Sequence, residues 1–145
     1  MSVAHDAALS FARSHQLPCP ITESALDAAL GSLGISVIRA PSDLPVREFR
    51  RGHIIGIRAD QCPPWRLWLK AHALGHFLLH RGDQQCYRDR VIVSKQEQQA
   101  EAFAGWLLLG QSWATMAPME LAEYCGLPQE RVERWTKIAA MEVVA

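Results

Sequence analysis

His72 and His76 lie four residues apart in the run Trp65 to Arg81, which contains no helix breaker except Gly75. On a helix this spacing projects both imidazoles from one face about one turn apart. It is the spacing by which two histidines share a zinc ion. Catalytic zinc takes three protein ligands and keeps one position for water, so a third donor is required. His80 is a further four residues on. Along an unbroken helix it rises about 12 Å above His72, too far for all three histidines to meet one ion. Glu97, on the next helical segment, is the better third ligand. Glu101, one turn beyond it, is placed to hold a ligating imidazole by its free N–H. The plainer reading of the same residues is two histidines filling a helix face, with Glu97 as a capping residue. An H-x-x-x-H pair without an adjacent Glu is a weak pattern.

The elements that would position these groups follow from periodicity. Leu26, Ala29, Leu30 and Leu33 predict a helix over Thr22 to Leu33, ended by Gly34. Ile35 to Ile38 reads as a short strand, followed by a proline-punctuated stretch from Pro41 to Pro45. Val46 to Phe49 and His53 to Arg58 read as two further strands, with Arg51 and Gly52 at their turn. Pro63 and Pro64 suit the first turn of the histidine helix, whose stripe Leu67, Ala71, Leu74 and Leu78 forms its core face. A loop at Gly82 and Asp83 leads to a possible strand at Val91 to Val93. Ser94 caps a second long helix through Leu109, with Glu97 completing a capping box. Two shorter helices follow Pro118 and Pro128. Helix, small antiparallel sheet and then helices make an α+β domain spanning residues 1–145.

Composition excludes several classes. With 15 Lys and Arg against 15 Asp and Glu in 145 residues, no overall positive field exists to hold nucleic acid or an anionic membrane. At this length one domain can hide roughly 70% of its unfolded surface. The N-terminus lacks a basic leader followed by an apolar stretch. The longest uncharged run near the middle, Ala102 to Gly110, is about half of a membrane span. Four dispersed cysteines, with no C-x-x-C pair, fit reduced thiols in a cytoplasmic protein.

The words around the histidines are more specific than their spacing. Pro64-x-Arg66, then Leu69-Lys70-Ala71-His72-Ala73-Leu74-Gly75-His76-Phe77-Leu78-Leu79-His80, closely resembles the "P-x-R…AHELGHxLLH" signature of the ImmA/IrrE metallopeptidases. Glu97-Gln98-Gln99-Ala100-Glu101-Ala102-Phe103-Ala104 with Leu107-Leu108 resembles that family's "E-x-x-A-(N/D)-x-F-A…LL" segment. The tail Leu121 to Leu127 with Val132-Glu133-Arg134 resembles its closing helices. The resemblance covers about residues 22–138. It implies a zincin-like helical core carrying a small sheet, with His72, His76 and Glu97 as Zn2+ ligands and Glu101 at the outer position usually held by Asn or Asp. It further implies a cytoplasmic endopeptidase that cleaves an XRE-type transcriptional repressor, controlling prophage or mobile-element induction or a stress response. No direct nucleic-acid or membrane partner is expected.

One departure bears on activity. Ala73 stands where the family has its catalytic Glu, the carboxylate that takes a proton from zinc-bound water and delivers it to the leaving amine. Loss of a positioned general base costs on the order of 10²- to 10⁴-fold in rate. The chain therefore reads either as an inactivated form of a peptidase or as a natural pseudopeptidase that binds a repressor without cutting it. Asp83 lies beyond a glycine and is no evident replacement. Trp68, one turn before His72, is a candidate for a substrate groove or for the core. His53 is a candidate for aiding an oxyanion or a plain sheet-edge residue. Leu121 to Leu127 with Val132 and Trp135 also has the rhythm of a helix-turn-helix. Gln129, Arg131, Arg134 and Lys137 would then face DNA, opposed by Glu130 and Glu133.

Overall fold

Thr22 and Ser94 begin the two helices the sequence marks most clearly, and both do so by the same chemistry. In the computed structural model, which describes residues 2–80, 84–87 and 94–144, the Thr22 hydroxyl accepts from the Ala25 N–H and the Ser94 hydroxyl from the Glu97 N–H. Each satisfies a donor that the first helical turn leaves without an intrahelical partner. In chain order the elements are α1 (Val3–Ser14), α2 (Glu23–Ser32), β1 (Ser36–Ala40), β2 (Glu48–Arg51), β3 (Ile54–Arg58), α3 (Pro63–Leu79), β4 (Gln84–Tyr87), α4 (Lys95–Leu109), α5 (Pro118–Cys125) and α6 (Gln129–Val144). A short 3-10 helix, Gly110–Ala114, follows α4. The fold is α+β.

The sheet has the order β1-β3-β2-β4 and is mixed rather than wholly antiparallel. β2 and β3 form the expected hairpin, but its turn falls at Gly52 and His53, where Gly52 adopts φ +59. β1 does not pair with β2, its neighbour in sequence. The proline-rich link carries the chain past β3, so β1 lies parallel on the far edge of β3, with Ser36 opposite Ile54. β4 pairs antiparallel with β2 in a stretch the sequence reads as loop, because Gln84-Gln85-Cys86-Tyr87 shows no apolar alternation. The strand expected at Val91 to Val93 lies outside the described residues. Helix α1 is an addition to the sequence reading. Ala4, His5, Ala8 and Phe11 are buried along it, and it packs on α4 with His5 edge-on to Trp106 at 4.6 Å. α6 is a long helix of 16 residues rather than a short one.

Two helices form the frame of the molecule. Every residue of α3 from Leu67 to His76 is buried, and so is every residue of α4 from Ala100 to Leu109. Leu69, Leu74, Phe103 and Leu109 are among the side chains hidden completely. Each contributes roughly 1.5–3 kcal/mol by burial. Gly75 permits the close crossing: a Cβ there would stand 3.1 Å from the Phe103 ring and 3.2 Å from the Ala100 backbone. Lys70, also buried on α3, is paired to Glu23 at 2.8 Å and Asp27 at 2.7 Å, fastening α2 to the same helix. Among the described residues no helix is long and apolar enough to cross a membrane.

At the other end of α4, Gly105 lies directly under the indole of Trp135 from α6, leaving no room for a Cβ. Trp135 also stands edge-on to Trp106 and Trp113, at 5.1 and 5.8 Å. Overpacking of this kind costs about 1–3 kcal/mol. Gly105→Ala is therefore expected to lower the thermal midpoint by about 2–4 °C per kcal/mol for a domain of this size. Thermal unfolding followed by circular dichroism checks it, and an unchanged midpoint would contradict the packing described.

Candidate metal centre

The middle of α3 and the first turn of α4 meet at three side chains. His72 and His76 present their rings on one face of α3, with centroids 4.9 Å apart, and neither exposes more than 1% of its surface. Glu97 comes down between them from α4, its backbone N–H already engaged by the Ser94 cap. His72 Nε2 stands 3.1 Å from Glu97 Oε2, and His76 Nε2 stands 2.7 Å from Glu97 Oε1. The first contact is a hydrogen bond. The second is close but is not aligned as one, and His76 Nε2 has no hydrogen-bond partner among the described residues. Ligand atoms of the three residues all lie within 4.8 Å of one another, a grouping that could hold a metal ion. Two imidazole nitrogens and a carboxylate oxygen are a donor set zinc accepts. A tetrahedral site with bonds of 2.0–2.1 Å has donor-to-donor edges of about 3.3 Å, a spacing comparable to the 3.1 and 2.7 Å that separate the two imidazoles from the Glu97 oxygens.

The far sides of both rings are braced. His72 Nδ1 lies 3.9 Å from Glu101 Oε1. Glu101 is itself held by the Trp68 indole N–H, which donates to its Oε2 at 2.9 Å, and it has Arg131 Nη1 3.9 Å away. A cavity of about 300 Å³ opens between Trp68, Glu101, Arg131 and Trp135. On the other ring, His76 Nδ1 is 2.9 Å from His80 Nδ1, and His80 Nε2 is 2.8 Å from Gln99 Oε1. One proton arrangement serves this chain while leaving the His76 Nε2 lone pair for a cation. His76 Nδ1–H donates to His80, and His80 Nε2–H donates to Gln99.

The remaining candidates fall elsewhere. Trp68 is 1% exposed and bound to Glu101, a packed residue that also lines the cavity beside Arg131 and Trp135. His53 is exposed at the β2–β3 turn, edge-on to Phe77 at 5.1 Å, and is not brought to the three ligands. Ala73 is fully buried in the hydrophobic core. Asp83 lies outside the described residues. Arg131, which a helix-turn-helix would aim at DNA, is 7% exposed and turned inward beside Glu101 and the Trp65 ring.

Sequence reasoning missed two members of the neighbourhood, Gln99 and Glu48, and weighed His80 only as a third ligand. His80 and Gln99 are recoverable from register, one turn after His76 and two residues after Glu97. Glu48 was not. It lies on β2, 1% exposed, and its Oε1 has no hydrogen-bond partner among the described residues. Burial pushes its carboxyl up to about 8. His72 opposes that shift, the Glu97 charge adds to it, and Arg50 opposes it.

The ligand groups shift as a set. For Glu97, burial works against ionisation, but contacts to His72 and His76 outweigh it and hold the carboxyl far below the ordinary range. For His72, burial likewise disfavours the proton, yet the bond to Glu97 and the charges of Glu101 and Glu48 raise it above its usual value. His76 is lowered, chiefly by burial and also by the neighbouring His72 charge, against the pull of Glu97. The metal-free site therefore favours a proton on His72, facing an ionised Glu97, more than a free imidazole would.

The family model described as an IrrE N-terminal-like domain, Peptidase_M78, matches residues 30–112. That span holds the sheet, α3 and α4 entire. No curated protein and no solved structure matches the chain.

These shifts fix the sign of a pH dependence. The raised His72 stabilises the metal-free fold fully below its ordinary 6.5 and loses that contribution as pH rises through its raised value. The raised Glu48 acts in the same direction, its contribution fading from the ordinary 4.5 up to about 8. The lowered His76 destabilises only below 6.5, and the lowered Glu97 contributes throughout the range above 4.5. Between pH 6.5 and 8 the chelator-treated protein is thus expected to lose thermal stability. Over the same interval its zinc affinity should rise as His72 sheds its proton. Melting curves and chelator-competition titrations across that range check both, and flat profiles would contradict the assignment.

Proposed function

We propose that this chain, which belongs to the Peptidase_M78 family of IrrE N-terminal-like metallopeptidase domains, holds a zinc ion between His72, His76 and Glu97 and uses that centre on a segment of an XRE-type transcriptional repressor. The observation that carries the reading is the convergence of two buried imidazole Nε2 atoms on the two oxygens of one carboxylate. Bound zinc supplies Lewis acidity, polarising a peptide carbonyl and making water a nucleophile near neutral pH.

The chain's own residues do the rest. Glu101, oriented by Trp68, steadies His72, while His80 and Gln99 steady His76, so both rings keep their Nε2 atoms toward the ion. Among the described residues β4 lies at the edge of the sheet, and it contacts α3. An extended segment of the repressor can add to that edge by backbone hydrogen bonds, the usual way a sheet edge takes a peptide. Position 73 contributes only a methyl group, which can neither accept nor deliver a proton. The protein in this form therefore captures its target and turns it over poorly, as an inactivated peptidase or a natural pseudopeptidase. Its setting is the cytoplasm, where a transcriptional repressor is met.

Elemental analysis after dialysis should find one zinc per chain, lost in His76→Ala. With zinc bound, Ala73→Glu should cleave the repressor at least about 10²-fold faster than the alanine form. Absence of metal from a folded protein would remove the reading. A zinc-loaded Ala73→Glu protein that leaves the repressor whole would remove its catalytic half.

A further inference from the structure

Glu48 is a carboxylate buried in the sheet, one of whose oxygens has no hydrogen-bond partner among the described residues. On β2 the inward positions are Glu48 and Arg50, and on the paired strand β3 they are Ile57 and Ile55, all buried. This sheet face packs on α3, the helix that carries His72 and His76. Apolar residues at such a face need no comment; a glutamate does. A buried charge persists when it is paired or when it meets a metal. The Arg50 guanidinium donates to the Gly52 carbonyl at 2.9 Å and stands 5.9 Å over the Phe77 ring. Glu48 Oε1 finds no hydrogen-bond donor among the described residues. The groups whose charges reach it are His72 and Glu97, with Arg50.

We propose that Glu48 is a member of the metal centre, an outer carboxylate brought from the sheet that faces the ion held by His72, His76 and Glu97. The proposal rests on the zinc reading above and deepens it. Only His72, His76 and Glu97, among the described residues, place ligand atoms within 4.8 Å of one another, so Glu48 stands outside the direct ligand set. Its role is electrostatic and positional. A divalent ion with one carboxylate ligand leaves an excess positive charge in a buried site, and a second carboxylate across the helix-sheet gap offsets it. The centre is thereby built from three elements: α3 gives the imidazoles, α4 the ligating carboxylate, and β2 the facing one.

The test compares the protein as it stands with Glu48→Gln, which keeps the shape and removes the charge, and with Glu48→Asp, which keeps the charge on a shorter arm. Zinc affinity is read by competition with a chromophoric chelator, and the environment of the ion by the visible absorption of the cobalt(II)-loaded protein. Glu48→Gln should bind zinc with unchanged stoichiometry but at least about 10-fold more weakly, the loss typical of an outer partner of a metal site. Its cobalt bands should shift, and its metal-free form should melt higher, since an unpaired buried carboxylate has gone. Glu48→Asp should fall between the two in affinity. Equal zinc affinity and an unchanged cobalt spectrum in a folded Glu48→Gln protein would overturn the proposal and leave the three-ligand site standing. Failure of the unaltered protein to bind either metal would overturn the zinc reading itself, and this proposal with it.

Discussion

A single carboxylate stands between two imidazoles, and the geometry of two helices is set so that it can. His72 and His76 come from a segment of α3 buried on every side, and Glu97 comes from the first turn of α4. To bring them within 3.1 Å, the helices must cross closely, and Gly75 against Ala100 and Phe103 is where that closeness is achieved. The Ser94 cap fixes where α4 begins and hence how Glu97 hangs from it. Burying two imidazoles against a half-buried carboxylate would be unfavourable if each group were alone. It is tolerable because the proton on His72 and the charge on Glu97 compensate one another. A cation can replace that proton, so the arrangement that stabilises the metal-free fold is also one that could hold a metal ion.

The shell around the ligands has unequal halves. Behind His72 lies a charged set in which Trp68, Glu101 and Arg131 join α3, α4 and α6, and Trp65 receives guanidinium groups from Arg47 and Arg131. Behind His76 lies a neutral relay ending at Gln99. A charged partner makes an imidazole more basic and a better donor; a neutral amide mainly fixes its tautomer. Burial lowers both, but the bond to Glu97 and then the Glu101 charge raise His72 above its usual value, whereas burial prevails at His76. The C-terminal helices thereby have a role at the centre as well as in the core, since Arg131 on α6 reaches the carboxylate that braces a ligand.

The histidine pair, Glu97 and Glu101 were legible because helical spacing turns sequence distance into three-dimensional direction. Four residues put His72 and His76 on one face, and Ser94 with Glu97 announced the turn from which the carboxylate would come. The helix boundaries around Thr22, Gly34, Pro63 and Ser94 were legible for the same reason: caps and breakers act locally. What could not be read was set by pairing across the chain. β1 joins β3 and not its neighbour β2, a choice made by the path of the link between them. β4 carries no apolar alternation and is a strand only because β2 offers it an edge. Glu48 belongs to this class. In sequence it is one acidic residue between two arginine-rich neighbours, and only the register of β2 on β3 turns it inward, in a sheet that packs on α3.

Position 73 shows how separable the parts of such a site are. Residues 72 and 73 are about 100° apart on the helix, so the ligands and the position of the family's general base occupy different faces and answer to different demands. A glutamate at a fully buried position must be desolvated, which favours neither the helix nor the core. Alanine there has the best helix propensity and joins the apolar cluster without strain. Replacing a buried acid by alanine thus tends to strengthen the fold while removing a proton acceptor, the usual opposition between stability and activity at a working site. Because ligand geometry does not depend on residue 73, the centre stays assembled. His72, His76 and Glu97 keep a grouping that could hold a metal ion with only a methyl group at position 73.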